Sequence, residues 1–406
     1  MKQTRNGKPV VDLSRIAVIG EKLRQMADEL ILIFPERRHL IQQIIYALLT
    51  KEHVLVWGTY GTGKTDLLRT LFGVFRGARI FSIGFSKFMS EASIIGIPDP
   101  KRMREQGEVI YRRDGGILDA DFAELDELFD SNAPLLRTLL GILNERQFKR
   151  GRQAEEAKLH TAVACTNGDP MEELKKHPEL GAVVDRFLFQ CRVEYLKSAE
   201  SRRRMYAKFL TGERPSVSID LDDLKYVSSI VVDANQITDP HFVEVYDELI
   251  GAYLKQIPTQ VISDRRRCKL LQLVEANALL YGRYEVDFED LMAIRWGLCT
   301  GYDDGQHDPF KAVADPIIAK AKETKKQNID EVQLKLLAEF KLKIPPCPDS
   351  ACSSDKLVEL SRQLTKLRKD VSAVKPQLPS TEDEKKKMLA SIDGIRETVR
   401  KLTEGV

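Results

Sequence analysis

From Leu13 to Thr50 apolar residues recur at steps of three and four, and the pattern breaks near Phe34 and Pro35. That spacing predicts two helices ahead of a first strand at His53 to Trp57. The strand runs into a glycine-rich turn, Gly58 to Gly63, and then into an amphipathic helix through Leu67, Leu68 and Leu71. Further apolar runs at Ala78 to Ile83, Asp121 to Leu125 and Leu159 to Thr166 alternate with helical patterns. The alternation is that of an α/β domain with a parallel sheet, expected to end near Leu196.

Beyond that point the strand pattern stops, and residues 199 to 300 read as helices joined by short turns. The last hundred residues differ again. Pro345, Pro346 and Pro348 mark a linker, and Leu357, Leu360, Leu364, Leu367, Val371 and Val374 form a coiled-coil seam. A second seam, Met388, Ile392, Ile395, Val399 and Leu402, follows a break at Pro376 to Pro379 and a capping-box start at Thr381 and Glu384. Each seam is too short to stand alone, so the two are expected to fold back on each other as an antiparallel hairpin. The expected domains are thus an α/β domain over 1–198, an all-helical domain over 199–305, and a helical extension over 306–406 with its Pro-rich linker. No whole-chain repeat is present.

Composition narrows the class. With 406 residues, 43% hydrophobic and 31% charged, the chain has material for two or three packed domains. A formal charge of +2 gives no whole-chain argument for nucleic acid or a membrane surface. Six scattered cysteines, Cys165, Cys191, Cys268, Cys299, Cys347 and Cys352, fit a reducing compartment. The close pair Cys347 and Cys352 has no nearby histidine and reads as a loop. Met1 to Val10 is polar, and no stretch approaches about 18 uninterrupted apolar residues, so a cytoplasmic chain without a membrane span is expected.

The chemistry lies in the glycine turn. Gly58, Thr59, Tyr60, Gly61, Thr62, Gly63, Lys64 and Thr65 form a complete Walker A sequence between a strand and a helix. Backbone N–H groups and the helix N-terminus suit phosphates, Lys64 can reach the β- and γ-phosphates, and Thr65 can ligate Mg2+. By chance such a match arises on the order of once in a hundred chains of this length. About sixty residues on, Phe122 to Glu127 reads as a Walker B strand ending in two carboxylates. Asp126 is placed to hold Mg2+ and Glu127 to polarise the attacking water of ATP hydrolysis.

Asn167 ends the next strand and could orient that water, although an Asn before a Gly is commonly a turn residue. Arg186, in Asp185-Arg186-Phe187, could neutralise the γ-phosphate of a neighbouring subunit, against the plainer reading of a surface ion pair. Arg265 opens a helix at Ser263-Asp264-Arg265-Arg266-Arg267 and could contact phosphates from above. Three adjacent arginines point in different directions, so at most one or two of Arg265, Arg266 and Arg267 can serve and the others are expected to be solvated.

Residues 30 to 300 resemble the MoxR family of AAA+ ATPases, with a pattern similar to its RavA-like branch. The resemblance rests on Gly58 to Thr65, Ile94-Ile95-Gly96, Gly115 to Leu118, Leu125-Asp126-Glu127, Leu143 to Arg146, Thr166-Asn167, Asp185 to Leu188 and Ser263-Asp264-Arg265. It implies an AAA+ P-loop domain with a helical lid, and an ATP and Mg2+ site between subunits of a hexameric homo-oligomer. In that frame Asn167 is sensor 1, Arg186 the arginine finger acting in trans, and Arg265 sensor 2. It also implies a chaperone-like remodeler working with a von Willebrand factor A domain partner or another protein client.

Two features stand beside the resemblance. Glu124 interrupts a strand the family keeps apolar and points to the same side as Asp126, either as an extra acid near the metal or as a structural partner for an arginine. The segment Ile97 to Arg113, with Lys101, Arg102, Arg104, Arg112 and Arg113 around Gly107, resembles a client-contacting hairpin and could equally be a solvated loop. The competing functions are a nucleic-acid motor or loader, disfavoured by the near-neutral charge, and a nucleotide-gated scaffold, disfavoured by the intact Asp126 and Glu127 pair.

Overall fold

In a computed structural model, which describes residues 11–106, 111, 114–150, 153–176, 180–233, 237, 239–257, 262–299, 309–348 and 352–404, the chain opens with α1 (Leu13–Ile33) and α2 (Arg38–Thr50). The carboxylate of Asp12 caps α1 by accepting from the Ser14 and Arg15 amides. α2 is buried on nearly every side, as a helix without a polar face must be. β1 (Val54–Gly58), α3 (Lys64–Phe72), β2 (Phe75–Arg76) and β3 (Ile80–Gly84) follow, then α4 (Ala92–Ile95) and α5 (Pro100–Gln106).

Next come β4 (Phe122–Asp126), α6 (Ala133–Glu145), the hairpin of β5 (Gln147–Arg150) and β6 (Gln153–Glu156), and β7 (Thr161–Thr166). The short helices α7 (Pro170–Lys176) and α8 (Gly181–Val184) precede β8 (Phe189–Val193). The main sheet is parallel throughout, in the order β3-β4-β7-β1-β8. Strands buried on both faces need continuous apolar runs, and Val54 to Trp57 and Ala162 to Cys165 supply them. One core cluster joins Leu55, Ala123, Leu125 and Ala164 of the sheet to Leu135, Leu139, Ile142 and Leu143 of α6. On α3, Phe72 stacks on Phe122 with ring centroids 4.7 Å apart.

The helical part begins with α9 (Ala199–Thr211) and β9 (Ile219–Asp220), which pairs in parallel with β2. α10 (Leu221–Asp233), α11 (Pro240–Gln256), α12 (Asp264–Leu280) and α13 (Arg295–Leu298) complete it. α12 packs on α1, α2 and α10, so the lid helices and the sheet domain form one compact unit over Met1–Ala314.

The second unit, Asp315–Val406, holds most of α14 (Pro309–Leu342) together with α15 (Ser354–Ala373) and α16 (Pro379–Glu404). The two seams do meet: Leu357, Leu364, Leu367, Val371, Met388, Ile392 and Val399 are buried in one cluster. Two details correct the sequence reading. Leu337, Phe340 and Ile344 join the same cluster, so the arrangement has three helical contributors where a two-helix hairpin was expected. α16 also starts at Pro379, a residue whose fixed φ suits a first helical turn, so Thr381 lies inside the helix. Its hydroxyl donates to buried Asp330 (3.2 Å), which also accepts from the Gln377 amide (2.7 Å), and no capping box forms with Glu384. Cys347 and Cys352 lie in loop, and all six cysteines are free thiols. Among the described residues no helix is long and apolar enough to cross a membrane.

Candidate functional site

The site begins where β1 ends. Gly58 has φ +131°, and a Cβ there would stand 2.0 Å from the Val193 carbonyl oxygen of β8, so no side chain fits between the two backbones. Gly61 and Gly63 face open space and are required for another reason: their φ values of +68° and +78° let the loop curl back before α3 begins at Lys64. The Lys64 ammonium donates to the Thr59 and Gly58 carbonyls at 3.1 and 3.4 Å. Burial draws its pKa down, while Cys165 and Asp126 favour the charged form. That electrostatic reach brings the loop, the end of β4 and the end of β7 together around one amine.

β4 and β7 are neighbours, and β7 lies against β1, so Asp126, Asn167 and the glycine loop leave the carboxyl ends of three adjacent strands. In open α/β sheets ligands bind at this edge. Asp126 is half-buried and accepts from the Glu127 amide at 3.1 Å. Glu127 and Asn167 are exposed. Glu127 also adopts φ +54°, a left-handed conformation that costs a side-chain-bearing residue roughly 1–2 kcal/mol and is found where a chain must aim a functional group. Among the described residues no cluster of three or more His, Cys, Asp or Glu gathers to hold a metal. A hydroxyl and one carboxylate, Thr65 and Asp126, fit the sparse protein ligation of Mg2+, which keeps waters and phosphate oxygens.

Glu124 resolves as a structural partner. It is buried and accepts from the Ser82 hydroxyl at 3.0 Å, with Arg69 Nε of α3 at 3.9 Å. Burial pushes its carboxyl pKa up.

Two residues invisible to sequence reasoning hold the loop from behind. Arg37 is buried and donates to the Glu194 carbonyl at 2.8 Å and the Thr62 carbonyl at 3.3 Å, tying the glycine loop to the end of β8. Glu36 accepts from the Lys197 and Ser198 amides at 2.8 and 3.1 Å, which fixes the chain leading into α9. In sequence they look like a polar break between two helices, and only the fold gives them partners. Between them and α9 lies a cavity of about 450 Å3, lined by Phe34, Pro35, Thr62, Leu196, Met205 and Phe209 among others.

Arg186 and Arg265 are elsewhere. The Phe189 amide donates to the His53 carbonyl at 3.3 Å, and Phe189 pairs with Val54, so Arg186 precedes the amino end of β8. Ser263 donates to Asp185 at 2.8 Å and Arg265 donates to Asn144 at the end of α6. The next carbonyl back, Leu143, lies 2.8 Å from His53 Nε2 at the amino end of β1. Both arginines therefore stand at the edge of the sheet opposite the glycine loop, a strand length or about 15 Å away. This placement sets Arg265 away from the glycine loop of its own chain. Of its neighbours, Arg266 is not solvated but buried on the Leu188 and Gly297 carbonyls, whereas Arg267 is partly exposed in a surface pair with Asp247 at 3.1 Å. Arg186 is half-buried beside Asp185 at 3.9 Å, and its enclosed Nε finds no acceptor among the described residues. Of the segment 97–113, Lys101 and Arg104 are exposed on α5, and Gly107, Arg112, Arg113 and the Arg102 side chain lie outside the described residues.

Comparison with known proteins gives this geometry a setting. Residues 21–225 match the family model described as the MoxR domain in MoxR-vWA-beta-propeller ternary systems, and residues 247–307 match an AAA lid domain. An uncharacterized protein of Methanocaldococcus jannaschii is 29% identical over 292 residues, covering 70% of this chain and 72% of the relative. Chaperone MoxR1 of Mycobacterium tuberculosis is 28% identical over 191 residues, 47% of this chain and 49% of its own length. A crystal structure from Cytophaga hutchinsonii, of a protein described as an ATPase, superposes with a TM-score of 0.57 over 76% of this chain and 96% of that one. At 19% identity it shows likeness of fold alone.

Proposed function

The chain belongs to the MoxR family of AAA+ ATPases, and from that premise we propose that it hydrolyses ATP at a site completed by a neighbouring copy in a ring and uses the cycle to remodel a protein client. The observation that carries this reading is the separation of the two halves of the apparatus. The glycine loop, Asp126, Glu127 and Asn167 share one edge of the sheet, and Arg186 and Arg265 share the other. An arginine side chain reaches about 7 Å at most from its Cα, roughly two residues of extended chain, so neither can touch phosphates in its own subunit. A second copy, packed edge to edge, would bring both to the first copy's nucleotide.

Within that site Lys64 and the loop amides of Gly58 to Thr65 hold the phosphates, and Thr65 and Asp126 hold Mg2+, which supplies charge neutralisation at the β- and γ-oxygens. Glu127 accepts hydrogen-bonding from the attacking water and draws its proton away. Asn167 fixes the direction of that water. The cavity beside Phe34 and Met205 has an apolar lining and a size suited to the base and ribose. A von Willebrand factor A partner is supported by the family model's description, and a hexameric ring by the MoxR-like sequence pattern alone. The domain reading stands with it: nucleotide-binding over 1–198, lid over 199–305, and 306–406 as the part that engages a partner.

Mixing two inactive variants tests the shared site. An Arg186→Ala subunit keeps its own loop, and a Lys64→Ala subunit keeps its arginines, so rings containing both regain ATP turnover that neither shows alone. Subunit exchange is followed in parallel by fluorescence transfer between labelled copies. Exchange without any recovered turnover at any ratio would show that each subunit is self-sufficient.

A further inference from the structure

α12 starts at the amino edge of the sheet and is fastened there on two faces. On one, Ser263 accepts from the Arg266 amide at 3.3 Å while its hydroxyl donates to Asp185, and buried Arg266 spans the Leu188 and Gly297 carbonyls at 3.0 and 3.1 Å. On the other, Arg265 and Lys269 stand four residues apart and so project side by side. Lys269 is bonded to Glu52 at 2.5 Å, and Arg265 Nη2 donates to the amide oxygen of Asn144. This second face lies over the junction of α6 with β1.

The two acceptors differ in kind. Glu52 carries charge and matches Lys269, a structural pair. Asn144 is neutral, and it occupies the last turn of α6, where asparagine is a poorer helix former than leucine or alanine. The adjacent acid, Glu145, is taken by Lys149. A guanidinium has five N–H donors, and a carboxylate would engage two of them in a fork and cancel the charge. A single amide oxygen fixes the direction of the group and leaves the charge and the remaining donors available. We propose that Asn144 is a positioning residue for Arg265, aiming it toward the nucleotide of the next subunit without neutralising it. This rests on the shared-site reading above.

The test is a double-mutant cycle on ATP turnover by the full chain at ring-forming concentration. Arg265→Ala slows kcat by roughly a hundredfold and Asn144→Ala by roughly tenfold with KM for ATP little changed, and the double variant is no slower than Arg265→Ala alone. A double variant in which the two losses multiply would overturn the positioning role while leaving Arg265 in the site. Wild-type kcat in Arg265→Ala would remove Arg265, and Asn144 with it. Asn144→Asp keeps size and acceptor but adds the neutralising charge, so it slows kcat at least as much as Asn144→Ala. An Asn144→Asp enzyme of wild-type kcat and unchanged thermal midpoint overturns the proposal without any question of misfolding.

Discussion

At the carboxyl edge of the sheet Glu127 and Asn167 are exposed and Asp126 is half-buried, whereas at the amino edge buried His53 and Arg266 are bonded to backbone from several elements and buried His160 to the Thr161 and Ser228 hydroxyls. His53 shows the contrast well. Its Nδ1 accepts from the Ala162 amide at 2.9 Å, and its Nε2 lies 2.8 Å from both the Leu143 carbonyl and Arg146 Nη1. One edge leaves its polar groups exposed; the other spends its polar groups on holding helices to strands. On the proposed shared-site reading the two edges have opposite needs, because one must open to a ligand and the other must hold its arginines in aim.

The largest expected effect isolates the open edge. Glu127→Gln lowers kcat by about a thousandfold with nucleotide affinity kept, and Lys64→Ala removes nucleotide binding, since one change takes the base and the other the phosphate charge. Turnover assays paired with fluorescent-nucleotide titration check both. Near-normal turnover in Glu127→Gln would move catalysis away from this edge.

The second effect belongs to the bonded edge. Burial holds the pKa of both His53 and His160 well below 6.5, with the nearby Arg146 charge adding to it. Below pH 6.5 the unfolded chain takes up protons that the folded chain refuses, so stability is full above that value and declines as pH falls through it. The urea midpoint at pH 5 is therefore lower than at pH 7. Carboxylates held low, such as Glu36, contribute their own loss only below pH 4.5. Urea midpoints at pH 7 and pH 5 measure this; a flat profile over that range would mean the two rings are not sealed from solvent.

The smallest effect crosses between the edges' styles. Arg37 is a buried anchor placed at the open edge, so Arg37→Ala loosens the glycine loop and weakens ATP binding by about tenfold while leaving Glu127 chemistry intact. An unchanged Kd would show that the loop is shaped by its glycines alone.

Much of this was legible in sequence, for identifiable reasons. β1 and the glycine loop announce themselves because Gly58, Gly61 and Gly63 answer a backbone demand that few other residues meet. The seams of α15 and α16 are regular enough to be paired before any fold is known. By contrast α14 was read only as part of a helical extension and not as an element of its own, because its apolar residues shift from Phe310, Val313, Ala314 and Ile318 to Leu337 and Phe340 without one continuous stripe. The opposed placement of the arginines was hidden for a different reason. Strand order and the packing of α12 decide which edge a residue occupies, and neither is written in local spacing. Arg266 makes the point: beside Arg265 it was expected to be solvated, and it is a core donor.

The anchoring of Arg37 on the Glu194 carbonyl sets a schedule for synthesis. β1 lies between β7 and β8, so the phosphate loop emerges from the ribosome long before either neighbour exists to support it. Roughly 130 residues separate Thr65 from Glu194, and at about 5–20 residues per second their translation takes roughly 6 to 26 seconds. Throughout that interval the nascent chain carries the whole Walker A sequence without the walls that shape it. ATP, abundant from the first moment, therefore cannot assist the folding of this domain until its last strand has been made, and then stabilises the finished sheet all at once.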